Sequence, residues 1–116
     1  QLSDINGTQI IELDIEIDGE VQRLRGEGNG PISAMLDALQ LPIDVVNYEE
    51  RSIGSGANAK ALALIELQAK GTGKSAFGAG IHDNIVTSSI EAIIACTNRL
   101  IEQGVLTTEQ VAAAAV

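Results

Sequence analysis

Two Gly-x-Gly stretches constrain this chain more than anything else in it. Gly26-Glu27-Gly28 runs through Asn29-Gly30 into Pro31, and Gly78-Ala79-Gly80 runs through Ile81–Asp83 into Asn84. Each is preceded by strand-like segments and followed by a helical one, so the chain reads as strand–strand–strand–helix twice over. In the first copy Pro31 suits the first helical position, with Asn29 or Gly30 as cap, and Ile32, Met35, Leu36 and Leu39 follow at helical spacing. Closely spaced glycines let backbone approach a ligand or another strand. A glycine turn opening a helix also leaves amide N–H groups pointing outward, which suits an anion. The plainer expectation is a tight strand-to-helix turn that binds nothing, and spacing alone favours it.

The segments around these stretches have readable periods. A short first strand is expected over Gln1–Asn6, closed by Asn6-Gly7. Gln9–Asp18 alternates Ile11, Leu13, Ile15 and Ile17 with Glu12, Asp14, Glu16 and Asp18, predicting a strand with one buried and one acidic face. Alternate carboxylates on one strand do not converge on a point, so the acidic row is expected to be solvated rather than metal-binding. Asp18-Gly19 signals a hairpin, and Glu20–Gly26 returns as a strand. Leu41-Pro42 ends the first helix. Strands are predicted over Asp44–Ile53, Ala59–Ala69 and Lys74–Ile81. His82-Asp83-Asn84 caps a long helix with a stripe of Val86, Ile90, Ile93 and Leu100, widened by Ile94 and Ile101 and ended by Gly104. Thr107 and Gln110 form a capping-box signature for a short Ala-rich tail helix within 105–116.

Two motifs invite nucleotide readings. Gly54-x-Gly56-x-x-Ala59 matches a loose dinucleotide fingerprint, but Tyr48-Glu49-Glu50-Arg51 is not the buried run such a site needs before it. Gly71-Thr72-Gly73-Lys74-Ser75 resembles the end of a phosphate-binding loop, but Gln68 stands where its first glycine belongs and no helix follows. A turn between strands is expected at both.

Composition narrows the partners. The net charge is −9, against nucleic acid and anionic membrane. Aromatics are 2%, so the core must be aliphatic. The single cysteine, Cys96, is expected in that core, and His82, the single histidine, in a turn. No signal peptide or membrane-length run is present. The start at Gln1 suggests an excised or processed piece of a longer protein.

Gly26-Glu27-Gly28-Asn29-Gly30-Pro31-Ile32 resembles the G-x-G-N-G-P-[VLI] motif of the C-terminal regulatory domain of 2-isopropylmalate synthase. Tyr48-Glu49-Glu50-Arg51, Gly56-x-x-Ala59-x-Ala61, Gly78-Ala79-Gly80, Asn84-Ile85-Val86-Thr87-x-Ser89 and Asn98-Arg99-Leu100 match as well, in order, over about residues 1–102. The resemblance implies an α+β fold of two βββα units, about 1–41 and 44–104, related by a pseudo-two-fold, with helices packed on antiparallel sheets. The helix N-termini would then hold equivalent places. It further implies a cytoplasmic homodimer that binds L-leucine as feedback inhibitor of leucine synthesis. The family's reaction joins acetyl-CoA to 2-oxoisovalerate in a metal-dependent TIM barrel that precedes this domain. Nothing here matches that barrel, so neither catalytic residues nor a cofactor are expected in this chain, and the barrel would be its partner. Carried over position by position, the effector pocket comprises Gly28, Gly30, Ile32, Ser33, Val45, Tyr48, Ser52, Ile81, Asp83 and Asn84. Family members often have Ala at the Ser33 and Ser52 positions. The similar domain of citramalate synthase senses isoleucine, so the effector stays open between the two, and a purely structural dimerisation domain is the rival. In this scheme helix N-termini hold the effector carboxylate, backbone carbonyls or Asp83 its ammonium, and Ile32, Val45 and Ile81 its side chain. A positive φ at Gly30 would make any substitution there strained.

Overall fold

A computed structural model describes residues 2–5, 7–17 and 19–112. The order is β1 (Leu2–Ile5), β2 (Thr8–Ile17), β3 (Glu20–Gly28), α1 (Pro31–Leu39), β4 (Ile43–Ile53), β5 (Lys60–Ala69), β6 (Ser75–His82), α2 (Ile85–Glu102) and α3 (Thr108–Ala112). The fold is α+β: two three-stranded antiparallel sheets, β1-β2-β3 and β4-β5-β6, each followed by a helix. By contacts the chain divides into two compact units. One holds the residues up to Leu41 together with those from Thr107 on, and the other is Pro42–Leu106.

In the first unit β2 pairs with β3 so that Ile11 faces Gly26 and Leu13 faces Leu24. Ile11 and Leu24 are buried together with Ala34, Met35, Ala38 and Leu39 of α1. Full burial of side chains the size of Ile11, Leu24 and Met35 contributes about 1.5–3 kcal/mol each. The predicted acidic row is a solvated outer face: Glu12, Asp14 and Glu16 are exposed, opposite Arg25, Arg23 and Val21 of β3. Arg23 pairs with Asp14 at 3.1 Å and with Glu12 at 3.6 Å. Asn6 and Asp18 of the turn signals lie outside the described residues, as do Gln1 and the end of the tail. Gly7 and Gly19 hold φ of +80° and +84°.

The structure shows what the paired glycines do. Gly26 and Gly28 lie in β3, which runs two residues past its predicted end, and Gly78 and Gly80 lie in β6. A Cβ on Gly26 would overlap the Ala34 carbonyl oxygen and the Ala38 amide nitrogen of α1, and one on Gly28 would stand 2.7 Å from the Ala34 nitrogen. On Gly78 it would overlap Ala92 O, and on Gly80 Ser88 O, both in α2. In each unit the pair admits a helix backbone against the strand; the close approach is to a helix, not to another strand.

That packing re-aims α2. Its buried residues are Ser88, Ser89, Ala92, Ile93, Cys96, Thr97 and Leu100, while Val86, Ile90, Ile94 and Ile101 are only half-buried. The predicted aliphatic stripe is therefore rotated, because small side chains must face the glycines. Cys96 is core, its Sγ donating to Ala76 O at 2.9 Å. The equivalence expected of the helix starts does not hold within the units. Three residues separate Pro31 from Ala34 at the glycine contact and seven separate Ile85 from Ala92, so α2 begins about one turn earlier.

Neither nucleotide motif opens a helix. Gly54 turns out of β4 with φ +85° into one 3₁₀ turn, Gly56–Asn58, and β5 follows. Gly71 and Gly73, both at positive φ, make the β5–β6 turn. The strand assigned to Ala59–Ala69 is present as Lys60–Ala69, with Ala63, Ile65, Leu67 and Ala69 buried. The capping box forms as predicted: Gln110 N donates to Thr107 Oγ1 at 3.2 Å, and Thr107 N to Gln110 Oε1 at 2.7 Å.

Candidate functional site

The start of α1 is an open one. Gly30 is its N-cap, with φ −167° and ψ 178°, and has no side chain to cap with. This φ is extended backbone that any residue adopts, and a Cβ at Gly30 would meet nothing within 4 Å, so the strain expected there is absent. Gly30 O accepts the first helical bond from Ala34 N at 2.9 Å. Pro31 has no N–H, and the amides of Ile32 and Ser33 receive no side-chain cap. Gly28, Gly30, Ile32 and Ser33 thus come together at one turn, Ile32 half-buried and Ser33 exposed. Gln9, absent from the sequence-predicted set, pairs with Gly28 in the ladder on the helix-facing side of β2. Its Oε1 is buried and has no hydrogen-bond partner.

The start of α2 is closed. Asn84 Oδ1 accepts from Val86 N at 2.8 Å and Thr87 N at 3.3 Å, satisfying donors that would otherwise face solvent or ligand. His82, expected in a turn, is instead the last residue of β6, and its Nδ1 accepts the Asn84 N–H at 3.1 Å. Asp83 meets Lys60 Nζ at 2.7 Å, and this hydrogen bond, with the lysine charge, holds the carboxyl below its ordinary value. Asp83 and Asn84 therefore already have partners.

Val45, Tyr48 and Ser52 lie on the α2-facing side of β4. Val45 and Tyr48 are three apart and would face opposite ways on a regular strand. The register shift between Val45 and Asn47 puts them on one face, Val45 opposite Leu67 and Tyr48 opposite Ile65. The Tyr48 hydroxyl donates to Glu50 Oε1 at 2.6 Å and meets Ser89 Oγ at 2.8 Å. Ser89 Oγ also lies 2.9 Å from Ile85 O, to which it donates. Burial, then the Glu50 bond, push the Tyr48 phenol above its ordinary value. Ser52 and Asp83 share a hollow of about 420 Å³ with Arg51, Lys60 and Ile85. Ile81 is not with them: it pairs with Leu62 on the other side of the sheet and is 52% exposed. Val45, 39% exposed, is not core either. Glu50 was legible as an i+2 neighbour of Tyr48 on the strand. Ser89, a polar residue in an apolar stripe, had only the motif match Asn84-Ile85-Val86-Thr87-x-Ser89 to mark it.

Among the described residues no group of three or more His, Cys, Asp or Glu side chains is placed to hold a metal, and no helix is long and apolar enough to cross a membrane. Two βββα units, one with an open helix start and one with a closed start, define a duplicated module of the α+β class. Residues 2–101 match the family model described as the LeuA allosteric (dimerisation) domain, and the chain belongs to that family. It is similar to the 2-isopropylmalate synthase of Azoarcus sp. (strain BH72), 47% identical over 102 residues, covering 88% of this chain and 18% of that protein. The 2-isopropylmalate synthase of Paraburkholderia phytofirmans is 43% identical over 98 residues, 84% of this chain and 17% of the relative. That of Pseudomonas syringae pv. tomato is 37% identical over 103 residues, 89% and 18%. The chain thus spans less than a fifth of the length of these relatives.

Proposed function

We propose that this chain is the allosteric module of a 2-isopropylmalate synthase, binding L-leucine to inhibit leucine synthesis, acting as a homodimer in the cytoplasm and passing the signal to the enzyme's catalytic domain. The observation that supports it is the open start of α1. Two uncapped amides, at Ile32 and Ser33, suit a carboxylate. The buried, unpartnered Gln9 Oε1 beside Gly28 supplies an acceptor for an ammonium. Asp83, already neutralised by Lys60, is a poorer acceptor than its place before the helix suggests. Val45, Tyr48, Ser52, Ile81, Asp83 and Asn84 enter this reading through the family resemblance. A metal belongs, in this reading, to the catalytic domain.

One observation favours a structural dimerisation domain instead: helix packing fully explains the four glycines of the Gly-x-Gly pairs. Calorimetry with leucine, isoleucine and valine separates the readings. Leucine binding is expected; isoleucine binding more tightly would identify a citramalate-synthase type of sensor, and no binding of any would leave the structural reading. Gly30→Asp places a carboxylate where the effector's should rest. At about 4 Å and an effective dielectric of about 20 the repulsion is roughly 4 kcal/mol before relaxation. Half of that weakens binding some thirtyfold, since ~1.4 kcal/mol is a decade. Unchanged leucine affinity in Gly30→Asp would remove the carboxylate from this turn.

A further inference from the structure

The two units cover one face of each sheet alike and treat the other face in opposite ways. In the first, the outer face of β2 and β3 carries Glu12 opposite Arg25 and Asp14 opposite Arg23, a surface made for water. In the second, Gly78 and Gly80 face α2 together with their ladder partners Ile65 and Ala63, so the residues alternating with them point away from it. These are Phe77, Ala79 and Ile81 of β6 and, opposite them in β5, Glu66, Leu64 and Leu62. Leu62 pairs with Ile81 and Leu64 with Ala79, while Phe77 is 62% and Ile81 52% exposed. A contiguous aliphatic and aromatic sheet face, left to solvent in a chain with so few aromatics, signals a partner.

We infer that this outer face of β4-β5-β6 is where two copies of the chain meet, sheet against sheet. The inference rests on the dimerisation reading of the family and names the surface that performs it. Three features suit a second copy rather than a charged or polar partner. First, the centre of the face carries no charge. Second, the charged groups beside it have partners within the chain: Arg51 Nε donates to Glu49 at 2.7 Å, and both Glu66 oxygens accept hydrogen bonds, from Asn47 at 3.2 Å and Ser75 at 2.8 Å. On burial Arg51 and Glu49 keep each other and each Glu66 oxygen keeps a hydrogen-bond donor, which limits the desolvation cost. Third, acid and base stand side by side on the face, so an isologous contact, in which the same patch meets itself, sets no block of like charge against like. Two such faces pack about 10 Å apart, as in a β-sandwich.

Sedimentation equilibrium on wild type, Phe77→Glu, Leu64→Glu and Val21→Glu tests this. Val21 is 70% exposed on the first unit's outer face and serves as the control. Wild type and Val21→Glu are expected to dimerise alike. Each of the two face variants should raise the dissociation constant at least about thirtyfold, the loss of one interfacial hot spot, with circular dichroism and melting of the monomer unchanged. Phe77→Glu, already largely solvent-exposed, keeps the test valid if Leu64→Glu fails to fold. If wild type dimerises and Phe77→Glu dimerises equally, the interface lies elsewhere and this inference falls while the dimerisation reading stands. If wild type is a monomer at every concentration, both fall.

Discussion

The helix starts of the two units solve one problem in opposite ways. Both helices sit over a Gly-x-Gly strand so closely that a single Cβ would overlap their backbone. Yet α2 begins about one turn earlier relative to that contact, and its first amides are closed by Asn84, with Asp83 clamped to Lys60 beside it. The start of α1 has a glycine cap, a proline without an N–H, and two amides with no side chain to receive. The packing device was duplicated and the terminus was not. The glycines are therefore structural in both units, and of these two helix starts only that of α1 leaves its first amides without a side-chain cap.

The largest expected effect tests that separation at glycine. Gly80→Ala places a methyl into Ser88 O, which is helix backbone and cannot rotate away, so α2 must lift from β6. A loss of about 3 kcal/mol or more is expected, read as a large drop in melting temperature. Gly30→Ala has open space and an extended φ, and should stay within about 0.5 kcal/mol of wild type. Equal melts for the two would erase the distinction between packing glycines and turn glycine.

How much of this was legible depends on range. Period-2 alternation around Ile11–Ile17, the Asn84 cap and the Thr107–Gln110 box are local chemistry, and the structure has all three. The role of Gly26 and Gly28 was not legible, because a glycine in a strand and a glycine in a turn look the same until the helix above is placed. The α2 stripe departs from its expected face for the same reason: the moment of a helix points to its aliphatics, but contact with Gly78 and Gly80 selects Ser88, Ala92 and Cys96. Tyr48 and Val45 share a face only through a bulge that no residue in Val45-Val46-Asn47 announces. Gln9 was invisible as a site residue because its unpaired oxygen is a property of burial, not of spacing.

A middle-sized effect sharpens the comparison at the caps. Asn84→Ala removes the side chain that receives Val86 N and Thr87 N, and should destabilise by about 1 kcal/mol. The mirror substitution, Gly30→Asn, gives α1 the cap it lacks and should stabilise by a few tenths of a kcal/mol. It should also occupy the amides assigned to the effector, so leucine affinity should fall while the melting temperature rises. A joint rise of both would place the effector away from this terminus.

The smallest expected effect concerns Asp83 and Lys60, and it differs from the cap in its dependence on pH. The Asp83 carboxyl is held below its ordinary value of 3.8, first by the hydrogen bond from Lys60 and then by the lysine charge. A group whose value falls on folding stabilises the fold above its unfolded value. That contribution is lost as pH falls through the folded value, because the unfolded chain takes up the proton first. Both partners are solvent-exposed, so water and salt screen the pair and its contribution is small. Lys60→Met should therefore melt slightly below wild type at neutral pH, and the gap should begin to close as pH falls below about 3.8 and vanish once pH has passed the lowered folded value, where Asp83 is protonated even beside Lys60. Added salt should narrow the gap at neutral pH. The Asn84→Ala deficit involves no titrating side chain and should persist through the same range. A Lys60→Met gap that is flat with pH would mean that Lys60 supports the start of α2 by packing along its stem, and the closed terminus would then rest on Asn84 alone.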